Sequence, residues 1–325
     1  MKNLGFKTFV LIFIVLINSC EKEPFVDNSS IVNPFLESSL KNETEVIDDV
    51  VVLKNDAEFK DLYGFILEHQ KEPEKIFTYI NGKYNVASMR EIYEQHIHKL
   101  DDREFFEEVI KKFPNVFKKI ANGNSVYYDL PVPNIASYMI NKDGYMIIGD
   151  FLLQLNDRGS FVYNYAEKDN AYDKFFKKEE VSFTPYCSES DRGQFSYRIA
   201  RFSNSRRIVA RLYKWEIYYP NIGTLYEYDA RTTAQRRILG AWIQRRISEI
   251  GLSHDGGQII YQWGPSEKLI PMAFWKNNRA DIIITFAVAS YIDPINHDLS
   301  SLILTHFGTW DGYGYREITD NELFP

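Results

Sequence analysis

The sequence predicts an α+β fold, with an N-terminal helical part followed by a small β-meander and a C-terminal antiparallel β-sandwich-like part. Three observations lead there. Apolar residues recur at helical spacing between 56 and 120. Period-two alternation takes over from about 181. Between these stretches, short apolar runs are separated by tight-turn signals. Of 325 residues, 45% are hydrophobic and 15% aromatic, ample for a sizeable core, and the 22 Tyr and 23 Phe suit strand-rich structure.

Taken in order, the chain opens on a secretory pattern. Lys2 and Lys7 precede the uninterrupted apolar run Phe9–Ile17, which suits a signal-peptide core and is too short to span a bilayer as a helix. Ile17-Asn18-Ser19-Cys20 follows and resembles the lipobox of bacterial lipoproteins, with Ile17 in place of the usual Leu and Asn18 in place of a small residue. The resemblance implies cleavage of residues 1–19 and a lipid on the Cys20 thiol. With roughly 0.8 kcal/mol per buried CH₂, two or three acyl chains such as palmitate anchor stably at a membrane. The other possibility is an ordinary signal peptide beside a chance cysteine. Glu21-Lys22-Glu23 is similar to the surface-export signals of Bacteroidota lipoproteins, which points to the cell outer membrane.

Residues 20–53 carry the lipidated cysteine and then a polar, acidic stretch that reads as a flexible tether. An ordered strand in Val46-Ile47 and Val50 to Leu53 is the alternative. Residues 54–125 form the helical subdomain. Phe59, Leu62, Tyr63 and Ile66 make one stripe. Met89, Ile92, Tyr93, Ile97 and Leu100 make a second, opened by the Ser88/Glu91 capping box. Phe105, Phe106, Val109, Ile110 and Phe113 make a third, with Asp101 or Asp102 as N-cap and Pro114 ending it. Residues 126–178 hold a short helix, Pro133 to Ile140, and the meander: Tyr145–Ile148, a Gly149-Asp150 turn, Phe151–Leu155, a turn over Asn156–Gly159, then Ser160–Tyr165.

The segment Ser137 to Leu155 (SYMINKDGYMIIGDFLLQL) resembles one that recurs in uncharacterised Bacteroidota outer-membrane lipoproteins, where a short helix ends in Asn-x-Asp/Glu-Gly and a strand runs into Gly-Asp. The likeness bears on architecture and implies no chemistry.

Residues 179–325 read as the antiparallel β domain. Val209, Tyr213, Trp215, Ile217 and Tyr219 share a face that Arg211 interrupts. Pro220–Gly223 is a turn. Gly257–Trp263, Ala280–Ile292 and Ser301–Phe307 are further strands, and Ile282-Ile283-Ile284 reads as buried on both faces. The spacing of Arg236–Ile250 fits strand and short helix equally.

Local signatures of catalysis are missing from the sequence. There is no G-x-S-x-G elbow, P-loop or dinucleotide fingerprint, and no histidine spacing matches a zinc or triad signature. His96-x-His98 on a helix points two ways; His254-Asp255 and His297-Asp298 are loop pairs and His306 lies in a strand. No metal and no cofactor is called for. With Cys20 lipidated, Cys187 stands alone, so no intramolecular disulfide is expected.

Two features remain. Trp310, Tyr313 and Tyr315, in the Gly-rich stretch 308–315, suit either a sugar- or peptide-stacking loop or a turn closing one end of the sheet. The charge is polarised. Losing Lys2 and Lys7 takes the formal net charge from −7 to −9, yet residues 198–246 carry eleven basic residues against three acidic. Arg grips carboxylate and phosphate bidentately. Arg206, Arg207, Arg236 and Arg237 therefore either form a face for an anionic glycan or acidic protein or pair with acids elsewhere in the fold. The address argues against nucleic acid. The expectation is a lipid-anchored, non-enzymatic binding protein of the cell envelope, with a hydrolase of envelope or extracellular polymers as the alternative.

Overall fold

The computed structural model describes residues 45–46, 49–164, 175–176, 180–185, 194–254, 258–259, 267–268, 272–290 and 303–320. Cys20, Cys187 and His297 lie outside them. Every described residue falls in one compact unit, Asn42–Pro325.

The chain starts with β1 (Glu45–Val46) and β2 (Val51–Leu53), so the stretch expected as tether to residue 53 gives way to strand before its end. Val51 and Leu53 are fully buried and β2 pairs in parallel with β5, which is why the backbone there is ordered. Four helices follow: α1 (Asp56–Glu68), α2 (Pro73–Tyr84), α3 (Met89–Ile97) and α4 (Arg103–Lys112). The predicted stripe of α1 is buried, and so is that of α3 except Leu100, half-buried beyond its end; Ser88 and Asp102 accept N–H bonds from Glu91 and Phe105 as N-caps. Helix α2, with Pro73 in its first turn and Ile76, Phe77 and Ile80 buried, is an addition to the three expected.

Next come β3 (Lys118–Asn122), β4 (Ser125–Asp129), α5 (Asn134–Met139) and the meander β5 (Tyr145–Ile148), β6 (Phe151–Leu155) and β7 (Gly159–Asn164). The meander pairs as expected, Ile148 facing Phe151 across Gly149-Asp150, with Gly149 at φ 55°. Gly159 begins β7 and accepts the Asn156 N–H that closes the second turn. Gly144 is dictated by space: at φ 89°, a Cβ there would lie 2.1 Å from the Leu155 carbonyl oxygen.

The remaining strands are β8 (Phe175–Phe176), β9 (Glu180–Pro185), β10 (Gln194–Ser203), β11 (Arg206–Tyr219), β12 (Gly223–Ile238), β13 (Ala241–Gln244), β14 (Ile247–His254), β15 (Gln258–Ile259), β16 (Glu267–Lys268), β17 (Met272–Arg279), β18 (Asp281–Ser290), β19 (Leu304–Trp310) and β20 (Gly314–Asp320). The ambiguous stretch Arg236–Ile250 is thus strand, broken by a turn at Leu239-Gly240, both with positive φ.

The result is a mixed, strand-rich fold. A five-stranded sheet runs β2-β5-β6-β7-β9, a four-stranded sheet β17-β14-β19-β20, and a seven-stranded sheet β10-β11-β12-β13-β4-β3, with β18 also on β12. The sheets cross the boundaries expected from sequence. β9 completes the meander sheet, and β4, at the start of the part expected to hold the short helix and meander, pairs in parallel with β13. Sequence proximity favoured separate parts; edge pairing between distant strands joins them.

Two apolar clusters flank β11, β12 and β18. One gathers the helices with Tyr213, Trp215, Ile217, Tyr219, Leu225, Ile283 and Val288. The other joins Ile208, Leu212, Ala230, Ala234, Ile282, Ile284 and Phe286 to Ile250, Leu252, Phe274 and Leu304 of the four-stranded sheet. Strand alternation sends Ile283 to one side and its two neighbours to the other.

Candidate functional site

On β11 the alternation that buries the apolar residues also sorts the arginines. Arg206 faces Arg236 across the ladder, while Arg207 faces Gln235 and Arg211 faces Arg231. Odd-numbered residues share the side of the helical cluster, here called the inner face; even-numbered ones share the other.

On the outer face, Arg206 and Arg236 put like charges directly opposite, an arrangement that destabilises a bare sheet. Aromatic rings offset part of this. The Arg206 guanidinium carbon lies 4.1 Å from the Tyr313 ring centre and 5.6 Å from that of Trp310. Trp310 in turn packs edge-on against Phe202. The β19–β20 hairpin makes this possible: Gly312 and Gly314 take positive φ, and the Tyr313 N–H donates to the Trp310 carbonyl. Tyr313 is 39% exposed and Tyr315 49%. Tyr315 turns away from Arg206, packing near Phe307 and donating its hydroxyl to Glu317. The structure therefore brings Arg206, Trp310 and Tyr313 together, leaves Arg236 and Arg237 exposed at the strand end, and sets Arg207 on the opposite face.

The inner face carries a polar row along β12: Glu227, Asp229, Arg231, Thr233 and Gln235, all buried. Glu227 accepts from the hydroxyls of Tyr63 and Tyr219 and from the Ile135 N–H. Asp229 accepts from Thr285 Oγ1 at 2.6 Å and the Asn134 N–H at 2.9 Å. The two carboxylates thereby take up the first N–H groups of α5, whose own N-cap is Pro133 and supplies no side-chain bond. Burial pushes the Asp229 carboxyl up to about 6, and burial together with Asp229 pushes that of Glu227 well above the usual range. Arg231 pairs with Asp129 and Asp281, and donates to the Tyr93 hydroxyl.

Beyond Arg231 the row changes character. Arg207 donates from Nε to Gln235 Oε1 (2.9 Å) and from Nη2 to Ser125 Oγ (2.6 Å), and lies 4.1 Å from the centre of the Trp242 ring. Arg211 donates from Nη1 to Thr233 Oγ1 (3.0 Å) and sits 3.9 Å from the Tyr127 ring centre. Ser125 and Tyr127 belong to β4, three strands from β11. At about 4.8 Å per strand a flat sheet would hold the two strands roughly 14 Å apart. Contact between their side chains means that the sheet curls and the inner face is concave.

Of the arginines in the basic segment, Arg231, Arg245 and Arg246 form ion pairs, the last two with Asp101. Among the described residues Arg201, Arg206, Arg207, Arg211, Arg236 and Arg237 have no carboxylate partner.

Of the described histidines, His254 and His306 lie diagonally across the β14–β19 ladder on one face, both buried. His96 bonds the Ile92 carbonyl and packs on Phe105 and Phe113, while His306 is buried beside Thr232, its pKa lowered by burial to about 3. Among the described residues no group of three or more His, Cys, Asp or Glu side chains is placed to hold a metal ion, and no helix is long and apolar enough to cross a membrane. Comparison of the chain with protein-family models, curated proteins and solved structures finds no match.

Sequence reasoning singled out Arg206, Arg207 and the aromatic loop but missed the Glu227–Gln235 row. Its period-two polar pattern was legible, and the natural expectation for such a pattern is a solvent-facing side.

Proposed function

We propose that this chain is a lipid-anchored protein of the cell envelope that binds an acidic glycan without chemically altering it, through Arg206 and Arg236 with Trp310 and Tyr313. Its strand-rich scaffold, read as a helical part with a sandwich-like C-terminal part, presents that surface. The carrying observation is the set of six arginines without carboxylate partners in the +8 segment, one of them packed on the exposed Tyr313 ring and near half-buried Trp310. Four of them, Arg201, Arg206, Arg236 and Arg237, are exposed or half-buried and keep their charge open to a partner. Tyr and Trp faces suit sugar rings, and guanidinium groups suit the carboxylates of acidic sugars. The Glu227–Asp229 pair is what a hydrolase would draw on. Both side chains are fully buried and committed to Tyr63, Tyr219, Thr285 and the start of α5, which favours a structural role.

The test is retention of the protein on immobilised polygalacturonate against neutral dextran across a salt series. Binding should weaken steeply as salt shortens the screening length below about 8 Å. The R206A/R236A variant should bind roughly tenfold more weakly, the loss expected when a charge-assisted contact of ~1.5 kcal/mol is removed. Equal retention on dextran would sink the reading, and preference for an acidic protein over the glycan would move it to the other partner class.

A further inference from the structure

We infer that the concave inner face holds a subsite for a carboxylate group of a bound acidic ligand, gripped by the side-on fork of Arg211. Arg211 is 1% exposed, and its Nη1 is held by Thr233, which fixes the guanidinium plane. Its Nε and Nη2, the two N–H groups that form one edge of the fork, are buried without a hydrogen-bond partner. That edge matches the two oxygens of a carboxylate.

The surroundings are donors as well. Gln235 is oriented by Arg207, which donates to its Oε1, and Gln244 by the Tyr128 N–H, which donates to its Oε1. Both amide nitrogens are therefore defined, and both are buried without a partner. Tyr127 and Trp242 supply flat faces against the two guanidinium groups. Neither Arg207 nor Arg211 forms an ion pair, although the chain's next inner arginine, Arg231, has two. A buried guanidinium with two N–H groups unmet and no carboxylate beside it is costly unless an anion completes it. Tyr197, its cross-strand neighbour on β10, is 41% exposed with its ring 5.5 Å from the Arg211 guanidinium carbon, so solvent lies one side chain away from the fork. The subsite extends the acidic-ligand reading to the opposite face of the sheet from Arg206 and Arg236.

The experiment titrates the intact protein with sodium glucuronate at constant ionic strength, balanced by sodium chloride, and follows thermal unfolding. Wild type should show a saturable rise in Tm. R211K keeps the charge but loses the fork, and should need at least tenfold more glucuronate. Q235E supplies a carboxylate from within, so it should melt higher without glucuronate and respond to it no further. R206A/R236A should respond like wild type even where its polygalacturonate retention falls, which separates the two sites. A wild-type response no greater than that to chloride overturns the subsite. So does a Q235E protein that responds like wild type, an outcome independent of whether R211K folds. Inorganic phosphate acting as strongly as glucuronate overturns the carboxylate assignment.

Discussion

Arg231 and Arg245 show how little the presence of an ion pair says without its surroundings. Arg231 is 1% exposed between Asp129 and Asp281, whereas Arg245 meets Asp101 at a half-buried surface. Replacing Arg231 with Met would leave two carboxylates buried and uncompensated, a loss of about 3–5 kcal/mol. Arg245→Ala should cost about 0–1 kcal/mol. Urea unfolding of both variants checks the contrast, and similar losses would refute it. Arg211 and Arg231 mark what sequence can disclose. Arg211 was visible as a break in an apolar face, so its burial was a live question from the start. Nothing local distinguished Arg231, because its partners come from β4 and β18, roughly 100 and 50 residues away.

Elements were legible where one side chain type repeated on one face. The stripes of α1, α3 and α4, the Asp102 cap and the meander turns all rest on contacts within a few residues. Helix α2 escaped because its buried side chains, Ile76, Phe77 and Ile80, are few and polar residues fill the rest. The four- and seven-stranded sheets escaped for another reason: some of their pairings join strands far apart, Gly251 with Phe307 over fifty residues and Trp242 with Ser125 over a hundred. Gly144 is an element-scale prediction. Ala there must hold a positive φ, costing about 1–3 kcal/mol by itself, and its Cβ would strike backbone rather than a yielding side chain. Gly144→Ala should therefore lower Tm by well over the shift of an exposed Gly82→Ala control, whose Cβ meets nothing. Calorimetry on the two variants decides it.

At the scale of the whole molecule, pH dependence follows from groups that pull in opposite directions. Asp229 is raised to about 6 and Glu227 further, so the folded chain holds their protons more tightly than the unfolded chain does. Their contribution is present in full below the unfolded carboxylate range and is lost as pH rises through the folded values. Glu94 behaves oppositely. Burial works to raise its carboxyl, but Lys276, Arg90 and Arg279 overcome that and hold it well below the usual range. Its contribution is lost as pH falls through the carboxylate range. His306, lowered by burial to about 3, also loses stability as pH falls below its unfolded value of about 6.5. The comparison that isolates the first effect is Asp229→Asn. Between about pH 4 and 6 wild type should lose stability relative to this variant. Urea unfolding at each pH measures it, and parallel profiles would contradict the assignment.

Strand β12 hydrogen-bonds β11 along its whole length and β18 and β13 along the other edge, and it feeds both large apolar clusters. It is the molecule's common wall. A fragment cut after residue 178 would keep the helices and lose the wall they lean on. Tyr63 and Tyr93 would face solvent in place of Glu227 and Asp281. A fragment beginning there would bare the same surface from the other side. Recombinant dissection at the borders that the sequence suggests should thus yield two insoluble halves, which makes the chain indivisible despite its visibly two-toned sequence.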